Sequence, residues 1–127
     1  MIDPQLTYVH LADGGHATQL PSETFWTLPE FDMAQLGKGW LISEYTFTED
    51  WPTWEMHPHG DEFVYLLSGA IELLFQTDDG TTSTSLQGSD AVVVPQGVWH
   101  TAKVSVPSRV LHVTRGDGTV TKPVAGL

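Results

Sequence analysis

The sequence predicts an all-β domain, and three observations carry that expectation. Short runs rich in β-branched and aromatic residues recur at 40–48, 62–68, 70–76, 82–86, 91–94, 98–105 and 109–114. Turn signals fall between them or flank them: Asp13-Gly14-Gly15, Pro58-His59-Gly60-Asp61, Asp78-Asp79-Gly80, Pro95-Gln96-Gly97 and Gly116-Asp117-Gly118. No strand–helix–strand rhythm appears, which argues against a doubly wound sheet. Many short strands joined by regular turns read as a sandwich or a barrel.

The elements follow in order. Residues 1–39 are weakly patterned and read as an N-terminal arm or outer strands. Within them only 28–37 is expected to be briefly helical, bounded by Pro29 and Gly37. Residues 40–48, Trp-Leu-Ile-Ser-Glu-Tyr-Thr-Phe-Thr, form the first clear strand. Residues 62–68 contain Phe-Val-Tyr-Leu-Leu, an apolar run expected to be buried on both faces. Residues 70–76 and 82–86 flank Asp78-Asp79-Gly80 and read as a hairpin. The remaining strands, 91–94, 98–105 and 109–114, close the set. His10 and His16 lie in the weakly patterned start and are expected at the surface.

Composition narrows the function. The chain has 127 residues, one domain by length, and is long enough to bury a core without staples. It has no cysteine, which excludes disulfides, thiolate metal sites and a cysteine nucleophile. Five Lys+Arg against 16 Asp+Glu give a net charge of −11. That opposes nucleic acid and anionic membranes, which need clustered cations. No run approaches the ~18 apolar residues of a membrane span, and no signal peptide is visible. A soluble, cytoplasmic protein is expected. A nucleophile elbow and a phosphate-binding glycine loop are both missing.

The chemistry concentrates in residues 54–69. Glu55, His57, His59 and Glu62 fall within eight positions. Alternate strand residues share a face, so Glu55 and His57 point the same way. His59 sits in a turn. Glu62 opens the next strand and can point back at the same spot. An unpaired carboxylate beside that apolar run would be costly, which favours ligation. His100, after Pro95-Gln96-Gly97, must arrive from a distant strand to close the site. Imidazoles and carboxylates at this spacing point to a metal ion held by N and O ligands.

These segments resemble the two signatures of the cupin superfamily, whose small single-domain members are barrels. The first signature places two histidines one residue apart, then a glutamate, then a glycine. Here Glu62 is followed by six residues and Gly69, and four residues separate it from His57 before it, with Glu55 in the place of the first histidine. The second reads Gly88, Pro95-Gln96-Gly97, two residues and His100. The shifted register, with His57 and His59 as the pair, leaves one residue too few before Glu62. The asparagine that usually ends the second signature is Val104 here.

The resemblance implies a double-stranded β-helix, a jelly-roll-like barrel with ligands in its mouth. Residues 1–127 would be a single domain with its barrel core at 40–115. The implied metal ligands are Glu55, His57, Glu62 and His100, with His59 and His112 as alternative or supporting residues. Trp51, Trp54 and Trp99 are candidates for the pocket wall. The cofactor would be a divalent ion: Fe, Mn, Zn or Ni. A second carboxylate shifts the preference toward Mn or Fe and away from Cu. The implied function is a metal-dependent small-molecule enzyme, a dioxygenase or an isomerase acting on a chelating substrate. The alternative is a non-catalytic cupin module that binds or senses a small ligand. Small cupins commonly pair, so a homodimer is expected. No catalytic residue and no reaction can be assigned.

Overall fold

A computed structural model describes residues 1–125; the last two residues of the expected 1–127 domain lie outside it. The chain forms β1 (Thr7–Leu11), β2 (Ala17–Pro21), α1 (Ser22–Phe25), α2 (Glu30–Leu36), β3 (Trp40–Phe47), β4 (Thr53–Met56) and β5 (Glu62–Ser68). It continues through β6 (Ala70–Thr77), β7 (Gly80–Gln87), β8 (Ala91–Val94), β9 (Trp99–Val104), β10 (Ser108–Thr114) and β11 (Val120–Pro123). Two antiparallel sheets result. One has the order β2-β1-β3-β10-β5-β8 and the other β11-β4-β9-β6-β7.

The hairpin forms as its turn residues dictate: β6 and β7 pair out to Thr77 opposite Gly80, leaving Asp78 and Asp79 as the turn. The helix after Pro29 is shorter than 28–37. It carries Glu30 and Asp32 in its first turn, where carboxylates suit the helix dipole, and ends at Gly37. The weakly patterned start forms β1 and β2, which extend one sheet beyond β3. Buried Glu44 on β3 helps hold that start in place. Its carboxylate accepts from Arg109 Nε at 3.0 Å and from Gln5 Nε2.

The core fills one end of the sandwich. Val64 and Leu66 of β5, Val110 of β10, and Ala102 and Val104 of β9 pack with Ile71, Leu73, Leu86, Val94 and Trp51. The same faces turn polar toward the other end. Glu62 precedes Val64 on β5, His112 follows Val110 on β10, and His100 precedes Ala102 on β9. The period of two that builds the core therefore also aims the polar side chains.

Two expectations need correcting. The Phe63–Leu67 run is not buried on both faces: Val64 and Leu66 face inward, while Phe63 is exposed and Tyr65 half-buried on a face with no helix over it. His10 is not a surface residue. It is 7% exposed, and its Nε2 lies 2.6 Å from the Lys38 carbonyl, which it can only approach as a donor.

Gly69 shows why the first signature ends in glycine. Its φ is +97°, and a Cβ there would lie 2.3 Å from Ser108 Oγ and 2.7 Å from the Pro107 carbonyl. That hydroxyl cannot retreat, because it donates toward the carbonyls of Val106 and Ala70 and accepts from the Ala70 amide. Gly69→Ala is expected to destabilise the fold by at least ~1–3 kcal/mol from the backbone strain alone, measured by denaturant unfolding. An unchanged midpoint would contradict the crowding.

Candidate metal centre

The two signature segments are bound to each other before any side chain of the site is considered. The Pro95-Gln96-Gly97 turn, with Gly97 at φ +79°, donates its Gly97 amide to the His57 carbonyl at 2.9 Å. Gln96 adds two bonds: its amide to Asp61 Oδ1 at 2.7 Å and its Nε2 to the Pro58 carbonyl at 2.6 Å. The loop that carries His57 is thereby fixed against the turn that leads into β9 and His100. Glu55 on β4 lies directly opposite His100 in the strand register.

Four of the residues read from sequence meet inside the sandwich. Ligand atoms of Glu55, His57 and His100 lie within 4.8 Å of one another and form a group able to hold a metal ion. Glu62 stands against the same imidazoles. Its Oε2 is 3.3 Å from His57 Nε2 and its Oε1 is 3.2 Å from His100 Nε2. His57, Glu62 and His100 are all buried, His100 completely. His112, on β10, also faces Glu62, with Nδ1 at 3.6 Å from Oε2. His59 does not join them: it is exposed in its turn, beside Gly118.

The hydrogen bonds behind the imidazoles set their tautomers. Thr119 Oγ1 donates to the Gly116 carbonyl at 2.8 Å, so it can only accept from His57 Nδ1, also at 2.8 Å. His100 Nδ1 lies 3.1 Å from the Val98 carbonyl, which accepts only. In both neutral rings the Nε2 lone pair then faces the carboxylate of Glu62. These Nε2 atoms and Glu62 Oε1 are buried without a hydrogen-bond partner among the described residues, despite the short distances. Acceptor faces acceptor, and such an arrangement calls for a cation between them, a proton or a metal.

Charges respond accordingly. Burial alone would raise the Glu62 carboxyl, but its contacts with His100, His112 and His57 outweigh that and hold it well below the usual carboxylate range. Burial alone would lower His100, but contact with Glu62 outweighs it and raises the imidazole above its ordinary value. Thr114 adds a short hydrogen bond of 2.5 Å to Glu62 Oε2. Thr114 and Thr119 carried no signal in the sequence, because nothing local marks a threonine on β10 or beyond it as lying behind Glu62 or His57.

Thr119→Val removes the acceptor behind His57 together with the hydroxyl's own bond to the Gly116 carbonyl. Metal affinity, read by calorimetric titration, is expected to fall about 10–100-fold, the range for groups that orient a ligand. Unchanged affinity would contradict the tautomer assignment.

The site opens into a cavity of about 720 Å³. Of the three tryptophans expected in its wall, only Trp51 lines it, with its ring 6.2 Å from His100 and 5.8 Å from His112. Trp54 and Trp99 do not, because strand alternation sends each to the face opposite its neighbour, Glu55 or His100. Trp99 instead lies under the Lys122 ammonium, 4.2 Å from the ring. The rest of the wall comes from a part of the chain the sequence left vague. Phe25 and Trp26, together with Met33 and Leu36 of α2, line the cavity along with Tyr45 and Phe47 of β3.

Solved structures share this arrangement of strands. A cupin-2 domain protein from Shewanella frigidimarina superposes with a TM-score of 0.51 at 16% identity, over 67% of this chain and 71% of its own. The fold is cupin-like. Bacillus subtilis oxalate decarboxylase, a protein with Mn(II) centres, gives a TM-score of 0.54 at 18% identity, over 67% of this chain and 24% of its own. Hydroquinone 1,2-dioxygenase from a Sphingomonas species gives 0.50 at 18% identity, over 65% of this chain and 69% of its own. No family model matches the chain, and no curated protein matches it. Among the described residues no helix is long and apolar enough to cross a membrane.

Proposed function

We propose that the protein is a metal-dependent cupin enzyme that works on a small chelating molecule in the mouth of the sandwich. The observation that carries the metal is the pair of unpartnered Nε2 atoms, on His57 and His100, converging with carboxylate oxygens in a buried site. Glu55, His57, Glu62 and His100 would hold the ion, and His112 stands close enough to Glu62 to replace or steady a ligand. Imidazole–carboxylate sets of this kind suit Mn, Fe, Zn or Ni, and two carboxylates favour Mn or Fe. A bound divalent ion would supply Lewis acidity and an open coordination position.

The chain's own residues do the rest. Thr119 and the Val98 carbonyl orient the two imidazoles, Thr114 orients Glu62, and the apolar wall restricts water. The two sheets are read as the halves of a double-stranded β-helix within one domain. A homodimer and a cytoplasmic location belong to the same proposal. The open sheet edge at β8, with Val93 exposed, supplies a physical motive for pairing.

The activity is tested by oxygen uptake and by substrate isomerisation, measured on protein reconstituted with Fe(II) or Mn(II) and given β-diketones, catechols and thiols. Turnover that disappears in His57→Ala supports the enzyme. Stoichiometric metal with no turnover across the panel would overturn it in favour of a ligand-binding module. The register is tested alongside: Glu55→Gln is expected to weaken metal binding more than His59→Ala, and the reverse order would contradict the ligand set.

A further inference from the structure

The chemistry of the cavity wall selects among chelating ligands. Among the described residues no lysine or arginine lines it. Four carboxylates do: Glu55 and Glu62 at the ion site, and the exposed Glu49 and Asp50 between β3 and β4. Against a single divalent ion and neutral imidazoles, they leave the cavity net negative, within a chain that carries −11 overall. Asp50 is partly spent, since its Oδ1 accepts from the Val104 amide at 2.7 Å. Glu49 is exposed and accepts from no other residue described.

The remaining wall is aromatic. Tyr45, Phe47 and Trp51 pack ring against ring, with centroids 5.7 Å and 5.3 Å apart, and Phe25 and Trp26 also line the cavity. Besides His57 Nε2 and Glu62 Oε1 at the ion site, two buried polar atoms in the wall residues have no partner among the described residues: the Trp51 indole N–H and His112 Nε2. A volume of about 720 Å³ is far more than a two-carbon diacid fills and falls in the range that takes a substituted aromatic ring. Aromatic faces also attract cations.

We infer that this cavity takes a ring-sized chelating ligand whose body is uncharged or cationic, and that it discriminates against carboxylate-bearing ligands, small diacids included. The inference rests on the proposed metal site for the chelating end alone. The charge preference rests on the wall. Like charges brought together without a counter-ion repel strongly at this range, whereas a neutral or ammonium-bearing ring meets only complementary surface.

The test is a charge series at constant shape. Zn(II)-loaded protein is titrated anaerobically by calorimetry with 4-ethylcatechol, dopamine, 3,4-dihydroxyphenylacetate and oxalate. The neutral and cationic catechols are expected to bind at least ~10-fold more tightly than the two carboxylates. Carboxylates that bind as tightly, or an absence of binding by every catechol to zinc-loaded protein, would overturn the inference. If the protein takes up no metal, the proposed function fails by element analysis. The charge preference is then read on the protein as purified with 2-phenylethanol, phenethylamine and phenylacetate. The same order is expected, and equal or absent binding would overturn it.

Discussion

His100→Ala is expected to empty the proposed metal site. His100 is fully buried, its Nε2 is 3.2 Å from Glu62 Oε1, and Glu55 lies opposite it across the strand pair. No neighbouring donor can take its place from the same strand, because Trp99 and Thr101 face the other way. Metal affinity should fall by more than the ~10–100-fold that follows loss of a group behind a ligand. The metal-free variant should also lose stability, on the order of 3 kcal/mol, because a buried carboxylate loses one of its partners. Calorimetric metal titration and urea unfolding separate the two effects. Full metal occupancy in the variant would show that His100 is not a ligand.

The second large effect is a reversal of pH dependence on metal loading. In the metal-free protein Glu62 is depressed, so its contribution is present above the unfolded carboxylate value near 4.5 and is lost as pH falls through its lower folded value. His100 is raised, so its contribution is complete below the unfolded value of 6.5 and is lost as pH rises through its higher folded value. Metal-free protein should therefore become less stable as pH increases above ~6.5. A metal needs His100 unprotonated, so binding releases protons and affinity climbs over that same interval. With saturating metal the melting temperature should hold or rise where the metal-free protein declines. Parallel pH profiles with and without metal would contradict the competition of proton and ion for one site.

The parts of this site that were legible in sequence are those fixed by local periodicity. Glu55 and His57 share a face by alternation, Glu62 opens β5, and His100 follows a Pro-x-Gly turn; the structure brings these four together. His59 looked as promising as His57 by composition, but its turn carries it into solvent. Trp99 shows the opposite failure. Adjacency to a ligand in sequence means the opposite face on a strand, and parity alone would have excluded it. Thr114 and Thr119 were illegible as partners of Glu62 and His57, since the contacts span 52 and 62 positions, whereas His112 was marked as a supporting residue by its imidazole.

The fold divides along similar lines. Strands with strong β-branched runs, such as β8 and β10, were readable, whereas β1 and β2 were legible only as an arm or outer strands and β11 not at all. β2 and β11 are short sheet-edge strands of mixed composition, formed because a neighbouring strand offers unpaired backbone groups. Of the two helices that line the cavity, α2 was marked by Pro29 and Gly37, whereas α1, four residues behind Pro21, has little helical signal of its own. The half-exposed face of Phe63–Leu67 is not legible, because an apolar run does not reveal whether a second layer covers its outer face.

A metal, rather than a proton, is expected between the imidazoles and the carboxylates. Element analysis of protein purified without chelator or added metal tests it most directly. One divalent ion per chain, lost together with His100 in the alanine variant, is the expected result. Protein that is metal-free as isolated, and that still takes up none of Mn(II), Fe(II), Zn(II) or Ni(II) when each is offered in excess at pH 8, would contradict it.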